Sequence, residues 1–431
     1  MKSFTWALRM YFFFLPFQFA LSPKEGIDLA IIRLLTLALV LWFLGQGLFR
    51  KKIILPPLLP LFFLSGFLFV ASGSILWSEN AGFAFRKILF LLSFLPFFIV
   101  ISSWFEEFPA TRSTLLKFFT GGAFLAAGSG IALFCSQFLF GLEKTYAFLM
   151  QNLLPFFLGT TFARSVAEHP SLLVNISGDT ILRSSGVFPD PHMFAFYLGM
   201  ASPLALTLSF TAVLPKERRA WMVVFFVILL ADLLTFSRGG YVGLLCAGVF
   251  FVFGSGFLRR LNFRQKGVTI LLSLVFLLAL FSSPFGTRFF SSFSHEDGSN
   301  VERLRLWGEA YVSLGERPFL GAGLGNYSLL VKPSASYRDP IYAHNLYLDI
   351  ALEIGFVGLF FFLGLLGIAL FYSFRRWHQE HEWLSLGVVA SLIVFLTHSL
   401  FETPLFSVHV LPALLLILAV GVSYRYEKTL V

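Results

Sequence analysis

Long apolar runs, separated by polar or Pro- and Gly-containing breaks, follow one another along almost the whole chain. Runs of about twenty apolar residues are long enough for an α-helix to cross a bilayer core of roughly 30 Å. They predict twelve spans, at 4–21, 28–49, 56–76, 87–104, 114–139, 192–214, 220–236, 239–257, 267–284, 345–373, 383–400 and 404–424. The first run carries Arg9 and lacks a small-x-small cleavage site, which favours a span over a signal peptide. The pattern predicts an all-α polytopic membrane protein with a single integral membrane domain over residues 1–431.

The composition agrees, because 57% hydrophobic and 13% charged residues exclude a chain of ordinary soluble domains despite a length of 431 residues. Cys135 and Cys246 both fall inside apolar runs. They are predicted to be small buried side chains rather than a disulfide or a metal site. The net charge of +9 leaves nucleic-acid binding open until the positions of the charges are considered.

Basic residues fall on alternate connections between the predicted spans. They are Lys2, Arg50, Lys51, Lys52, Arg112, Lys117, Lys216, Arg218, Arg219, Arg259, Arg260, Arg264, Lys266, Arg375, Arg376, Arg425 and Lys428. Short loops of the opposite set hold only Lys24, Arg86, Lys87 and Arg238. By the positive-inside rule, both termini are predicted to be cytoplasmic, and the charge needs no nucleic acid to explain it. Two longer connections, 140–191 and 285–344, are then predicted to lie outside, where we expect the chemistry.

The outer connection 285–344 is predicted to be a large periplasmic loop with short surface helices. Ser299 and Glu302 fit a capping box that opens a helix ending near Gly315 or Pro318. The residues predicted to form its apolar face are Val301, Leu304, Trp307, Tyr311 and Leu314, with Arg303 and Glu302 off that face. The following "GAGLGNY" lacks the Lys-Ser/Thr of a nucleotide loop, which favours close turn packing.

Arg238, in "TFSRGG", lies at the predicted outer mouth between two spans and precedes two glycines. Its planar guanidinium suits a phosphate or carboxylate. The alternative is snorkelling to the interface, or an ion pair with Asp232 six residues earlier. Both interpretations stay open at this point.

His344 precedes the tenth predicted span, and a histidine there is a candidate general base near neutral pH. Asp349 and Glu353 follow it on the same helix. Nine residues of helix place Glu353 roughly 13 Å deeper, too far to contact the imidazole. We therefore expect Glu353 to be a buried structural acceptor or a group in a wet cavity.

A metal site is the less favoured alternative for the polar residues near the outer face. Its candidate ligands are His192, His344, His398 and Glu402, and the sequence has no HExxH, DxD or dense carboxylate cluster. No metal or other cofactor is expected. His398 and His409 are predicted to be satisfied interfacial histidines.

Five segments between residues 185 and 359 together resemble the O-antigen ligase and O-antigen polymerase superfamily of bacterial membrane glycosyltransferases. They are "SGVFPDPHMFAFYLGM" (185–200), "SRGG" (237–240), "RLRLW" (303–307), "RPFLGAGLGNY" (317–327) and "AHNLYLDIALEIGFVGL" (343–359). Each is weak alone, but their order and predicted side make the set specific. His192 stands where the family has an asparagine. It either replaces the hydrogen bonds of that amide or adds a titratable group.

The resemblance implies a GT-C-like fold with a periplasmic active site and inverting, metal-independent transfer of a glycan from undecaprenyl diphosphate to an acceptor hydroxyl. His344 is then the catalytic base. The donor diphosphate is expected to bind Arg238, Arg303 and Arg183, since preorganised positive groups stabilise the charge of the leaving group. Arg305 has no assigned counterpart. The residues expected to support the site are Asn345, His192 and Glu353.

The expected partners are the lipid-linked donor, a lipid A core or glycan acceptor, and membrane lipids, in the bacterial inner (cytoplasmic) membrane. The length and the short outer loops favour a ligase of lipopolysaccharide biosynthesis over an O-antigen or exopolysaccharide polymerase. A lipid-linked oligosaccharide transporter is the rival from another class. It is less favoured because the sequence shows no internal repeat and, apart from Arg33, the ionisable groups cluster at the outer rim.

Overall fold

The computed structural model describes residues 2–24, 26–168, 171–176, 178–256, 262, 286, 298–337, 339 and 341–423. The described part is mostly helical. Its helices are α1 Lys2–Phe14, α2 Ile31–Arg50, α3 Leu58–Gly73, α4 Ala81–Glu107, α5 Thr111–Phe140, α6 Leu142–Phe148, α7 Leu154–Leu158, α8 Thr160–Glu168, α9 Pro191–Thr211, α10 Pro215–Leu233, α11 Arg238–Gly254, α12 Gly298–Glu316, α13 Tyr327–Val331, α14 Leu346–Glu380, α15 Trp383–His398 and α16 Val410–Val422.

Some sequence predictions concern residues outside the described ranges. The predicted span 267–284 lies outside the described residues, as do Arg259, Arg260, Arg264, Lys266, Arg425 and Lys428. The Ser299 and Glu302 side chains of the predicted capping box also lie outside what is described.

Six of the described helices are long and apolar enough to cross a bilayer, namely α2, α3 with its 3-10 extension to Leu76, α4, α5, α9 and α14. Three shorter apolar helices are α11, α15 and α16. The chain is thus a helical protein with several membrane-spanning candidates, and twelve spans stay a prediction.

Two β-hairpins interrupt the helical pattern, and the sequence did not predict them. Strand β1 (Ala20–Lys24) pairs antiparallel with β2 (Ile27–Ala30), and β3 (Leu173–Ile176) pairs antiparallel with β4 (Asp179–Leu182). The first predicted span was therefore too long at its end. Helix α1 gives way to a 3-10 turn, Leu15–Phe17, with Pro16 near its start. Proline fixes its own φ and lacks an N–H, which ends an α-helix readily.

Helix α9 is a central helix of the described bundle and packs against α5, α10, α11 and α15. Its apolar window is 83% buried, against 28% for α2, which lies at the periphery. Helix α15 also packs against α11 and α14, and α14 packs against α3. Cys135 and Cys246 are exposed on helix surfaces, so the prediction that both are buried was wrong. Lipid tails are as apolar as the helix surface, so the hydrophobicity of a side chain in a membrane protein does not by itself indicate burial.

The glycine-rich turn at 317–325 packs on a kink in α14, as the turn-packing interpretation predicted. Ala322 and Gly323 donate backbone N–H groups to the carbonyl oxygens of Leu352 and Glu353, both at 2.8 Å. Gly355, at the kink, has φ 69° and ψ 179°, a conformation nearly restricted to glycine. A Cβ there would lie 1.9 Å from the Phe319 carbonyl oxygen. The kink and the turn therefore require each other.

Gly355→Ala is expected to destabilise the protein by roughly 1–3 kcal/mol from backbone strain alone, with the clash against Phe319 in addition. Thermal unfolding in detergent measures the loss of stability. Gly367→Ala on the same helix is the matched control, since a Cβ there meets nothing within 4 Å. Alanine in that open position raises helix propensity by up to about 1 kcal/mol. Equal stability of the two variants would show that the kink is dispensable.

Candidate functional site

Glu402, in the connection between α15 and α16, is the centre of a polar cluster. Its Oε2 lies 3.0 Å from His344 Nδ1, and its Oε1 accepts a hydrogen bond from Arg303 Nη2 at 3.1 Å. His192 Nε2 lies 3.8 Å from the same Oε1. The Glu402 side chain is only 11% exposed, whereas that of His344 is 38% exposed. One largely buried carboxylate thus joins three residues that the sequence predicted for the site.

His344 lies in a tightly held turn just before α14. Its φ of 50° is left-handed, which is uncommon for a residue other than glycine. On one side, Trp307 Nε1 donates a hydrogen bond to the Ala343 carbonyl oxygen at 2.8 Å. On the other, Asn345 caps α14 by accepting from two backbone N–H groups of the first turn. The turn fixes the backbone from which the imidazole projects.

Helix α12 supplies Arg303 from its buried face, and here the predicted apolar face was partly wrong. Ala310 is buried against the start of α14, Trp307 and Leu314 pack beside it, and Leu306 is buried as well. Val301, Leu304 and Tyr311 are exposed instead. The helix ends at Glu316, as predicted. Because α12 packs on protein through this face, Arg303 points toward Glu402 rather than away from the core.

His192 connects the cluster to the first turn of α11. Its Nδ1 lies 3.0 Å from Ser237 Oγ, and that hydroxyl lies 3.1 Å from His398 Nε2. Asp190 caps α9 by accepting the N–H groups of His192 and Met193, which holds His192 at the helix start. The prediction of a titratable or hydrogen-bonding role at this position stays open between its two alternatives.

His398 is fully buried and stacks on Phe196 with ring centroids 3.7 Å apart. His409 is 1% exposed and packs on Phe188 at 4.2 Å. The prediction that both are interfacial histidines was therefore wrong. Both rings lie against an aromatic side chain inside the bundle, His398 parallel to Phe196 and His409 tilted by 32° against Phe188.

Arg183 is 4% exposed and donates hydrogen bonds to the backbone of two neighbouring segments. Its Nε donates to the Thr235 carbonyl oxygen at 2.6 Å, and its Nη1 donates to the Ser171 carbonyl oxygen at 2.9 Å. The same Nη1 lies 3.4 Å from His192 Nε2. Arg183 therefore borders the cluster while it anchors two loop segments.

Arg238 begins α11 and is 8% exposed, so it is buried rather than snorkelling. It does not pair with Asp232, whose carboxylate oxygens are buried without a hydrogen-bond partner. The glycine that follows permits close packing, since a Cβ at Gly239 would lie 2.5 Å from His398 Cδ2. Arg238 thus directly follows Ser237, whose hydroxyl lies between His192 and His398.

Glu353 lies apart from the Glu402 cluster. Its Oε1 accepts from Lys87 Nζ at 2.6 Å, and both side chains are largely buried. The ammonium also lies 4.5 Å from the centroid of Phe406. The pair ties α4 to the kink of α14, which agrees with the expected role of buried acceptor.

Neighbouring charges shift the pKa values of His344 and Glu402 in opposite directions. Burial alone would lower the pKa of His344, but the Glu402 carboxylate 3.0 Å away outweighs it, and the pKa is raised. Burial alone would raise the pKa of Glu402. His192, His344 and Arg303 outweigh it, and that pKa is held well below its usual value. Glu402 is therefore ionised at neutral pH.

Within the described ranges, no group of three or more His, Cys, Asp and Glu side chains is arranged to hold a metal ion. The Glu402 oxygens are already engaged by Arg303 and His344. The arrangement suits proton transfer at His344 next to a fixed positive group.

Sequence reasoning missed the roles of Glu402 and Ser237. Glu402 was considered only as a metal ligand, although a carboxylate on the predicted outer side between the last two spans was a usable signal. Ser237 was visible in "SRGG", but only the fold shows that its hydroxyl lies between two histidines.

Glu402→Gln is expected to lower the pKa of His344, because the carboxylate that stabilises the imidazolium is replaced by a neutral amide. Histidine NMR titration of the detergent-solubilised protein measures the shift. Glu309→Gln, at an exposed ion pair with Arg305, is the matched control and should leave the titration unchanged. An unmoved His344 titration in Glu402→Gln would contradict the contact.

Residues 222–363 match a family model described as O-antigen ligase. No curated protein matches the chain. Arg183 and His192 precede the matched stretch and Glu402 follows it. The match confirms the resemblance to the O-antigen ligase and polymerase superfamily through the stretch that holds Arg238, Arg303 and His344.

Proposed function

We propose that the protein is an O-antigen ligase-type glycosyltransferase of lipopolysaccharide biosynthesis. It transfers a glycan from undecaprenyl diphosphate to an acceptor hydroxyl at the periplasmic face of the bacterial inner membrane. The observation that carries the proposal is the convergence of His344 and Arg303 on the buried Glu402 carboxylate. This gives one base and one fixed cation at the same end of the helix bundle, in a chain whose matched family is named for this reaction.

His344 acts as the general base. With Nδ1 held by Glu402, the neutral imidazole carries its proton on Nδ1 and has its lone pair on Nε2. That nitrogen accepts the proton of the acceptor hydroxyl. Glu402 fixes this tautomer and stabilises the imidazolium that forms, as the carboxylate of a catalytic triad does. The 38% exposure of the His344 side chain leaves room for an acceptor to approach.

The arginines stabilise the diphosphate. The acceptor oxygen attacks the anomeric carbon, the bond from that carbon to the diphosphate oxygen breaks, and undecaprenyl diphosphate leaves with the electron pair. Attack from the face opposite the leaving group inverts the anomeric centre. Arg303 donates one N–H to Glu402, and its planar guanidinium group has further N–H donors. Arg238 and Arg183, both buried nearby, add positive charge, and no metal is needed to stabilise the leaving diphosphate.

The cellular setting follows from the charge bias of the connections. Cytoplasmic termini put the end of the bundle that holds His344 and Glu402 at the periplasmic side. The exposed apolar helix faces there offer a wall for the polyprenyl chain. The family description favours a ligase over a polymerase, and both would share donor and chemistry.

Incubation of the purified protein with undecaprenyl diphosphate glycan and each candidate acceptor tests the proposal directly. Transfer to lipid A core supports the ligase, and transfer only to another glycan makes the protein a polymerase. Movement of intact donor across vesicles without transfer would make it a transporter instead.

His344→Ala is expected to reduce transfer by at least about 100-fold, within the range for loss of a general base, while donor binding persists. Transfer in detergent or liposomes and donor binding are measured on the same preparation. His378→Ala changes an exposed histidine at the far end of α14 and should leave both unchanged. Full transfer by His344→Ala would rule out this base.

Arg303→Gln and Arg238→Gln are each expected to weaken donor binding and to slow transfer together, because each removes positive charge from the diphosphate. Titration with donor lipid and initial rates measure the two effects. Arg305→Gln removes an exposed arginine from the same helix as Arg303 and is the control. Loss of activity with EDTA and recovery with Mg²⁺ would favour a metal mechanism instead.

A further inference from the structure

Asp349 joins the two chain segments that carry the proposed base and its carboxylate. Its Oδ1 accepts the backbone N–H of Ala343 at 2.8 Å, and its Oδ2 accepts the hydroxyl of Thr403. Ala343 directly precedes His344, and Thr403 directly follows Glu402. We propose that Asp349 is a positioning residue that sets the His344–Glu402 contact, an inference that rests on the proposed function.

The geometry suits such a role because the two segments come from distant parts of the chain. One leads into α14, and the other leaves α15. The two oxygens of one carboxylate have a fixed separation, so bonds from both segments to Asp349 fix the segments relative to each other. Asp349 is 5% exposed and lies on the first turn of α14, which is itself capped by Asn345. The bridge is therefore held on a rigid element.

The left-handed turn at His344 makes this bridge necessary. A residue other than glycine is strained in that region and keeps the conformation only when its neighbours fix it. The Ala343 carbonyl is held by Trp307 and the Ala343 N–H by Asp349. Both polar groups of the preceding residue are thus engaged. Loss of either bond lets the turn relax and moves the imidazole.

Loosening the bridge has a signature that a general loss of stability lacks. The charged groups that face His344 are Glu402 and Asp349, which favour its imidazolium, and Arg303, which opposes it. A longer His344–Glu402 distance weakens the largest favourable interaction, so the pKa of His344 falls. The base must be neutral to accept a proton, and the acid limb of the rate against pH therefore moves to lower pH.

The test is Thr403→Val, which removes the hydroxyl and keeps the side-chain shape and the charge of Asp349. We expect kcat to fall roughly tenfold through misorientation of the base, donor binding to stay unchanged, and the acid limb to move to lower pH. Thr403→Ser keeps a hydroxyl at this position and should return kcat and the acid limb to the values of the unsubstituted protein. Thr120→Val is the matched control, since that threonine hydroxyl is buried without a hydrogen-bond partner.

Histidine NMR titration of the same variants separates this inference from the proposed function. A lower pKa of His344 in Thr403→Val, with recovery in Thr403→Ser, supports the bridge whether or not the protein transfers glycan. An unchanged His344 titration overturns the bridge even where the rate falls. Failure of the proposed function appears instead as no glycan transfer by the unsubstituted protein to any acceptor, whatever the His344 titration shows.

Discussion

The buried carboxylate of Glu402 is the constraint on which the rest of the site depends. An ionised carboxylate out of water is costly unless charged and hydrogen-bonding groups surround it. Arg303 comes to it from α12, His192 from α9 and His344 from the start of α14. Three separate elements therefore have to be in place before this charge is satisfied. The polar cluster and the docking of α12 on the bundle are in this sense one arrangement.

The backbone around His344 shows how that arrangement is kept rigid. The turn is left-handed, its flanking carbonyl is bonded by Trp307, and the next helix starts with an asparagine cap. Further along α14, a glycine kink receives the turn that follows α12. Helix α12 is thus tied to α14 both at the site and at the kink. An imidazole held this way keeps one direction, which is what the proposed role of general base requires.

The sequence predicted the described apolar helices well, because a run of apolar residues is a local signal that needs no tertiary context. The sequence predicted less well which side chains are buried and where strands pair, because tertiary contacts determine both. The exposed Cys135 and the turn of α12 that buries Leu306 both depend on which face meets protein and which meets lipid. The hairpin after α1 depends on pairing between strands. His344, Arg303 and Arg238 were picked out by motif, whereas Glu402 was not assigned its role, since its contacts join residues far apart in the chain.

The guanidinium groups at this end of the bundle argue for an anionic ligand. Arg183, Arg238 and Arg303 bring three guanidinium groups to this end, the first two buried and the third partly buried. The carboxylates of Glu402 and Asp349 are already engaged by hydrogen bonds within the protein. A low dielectric strengthens the attraction between such fixed guanidinium groups and an incoming anion. A diphosphate has the charge and the oxygen geometry that planar guanidinium groups bind best. The charge that develops as a sugar leaves its diphosphate would then appear where the protein already holds its cations.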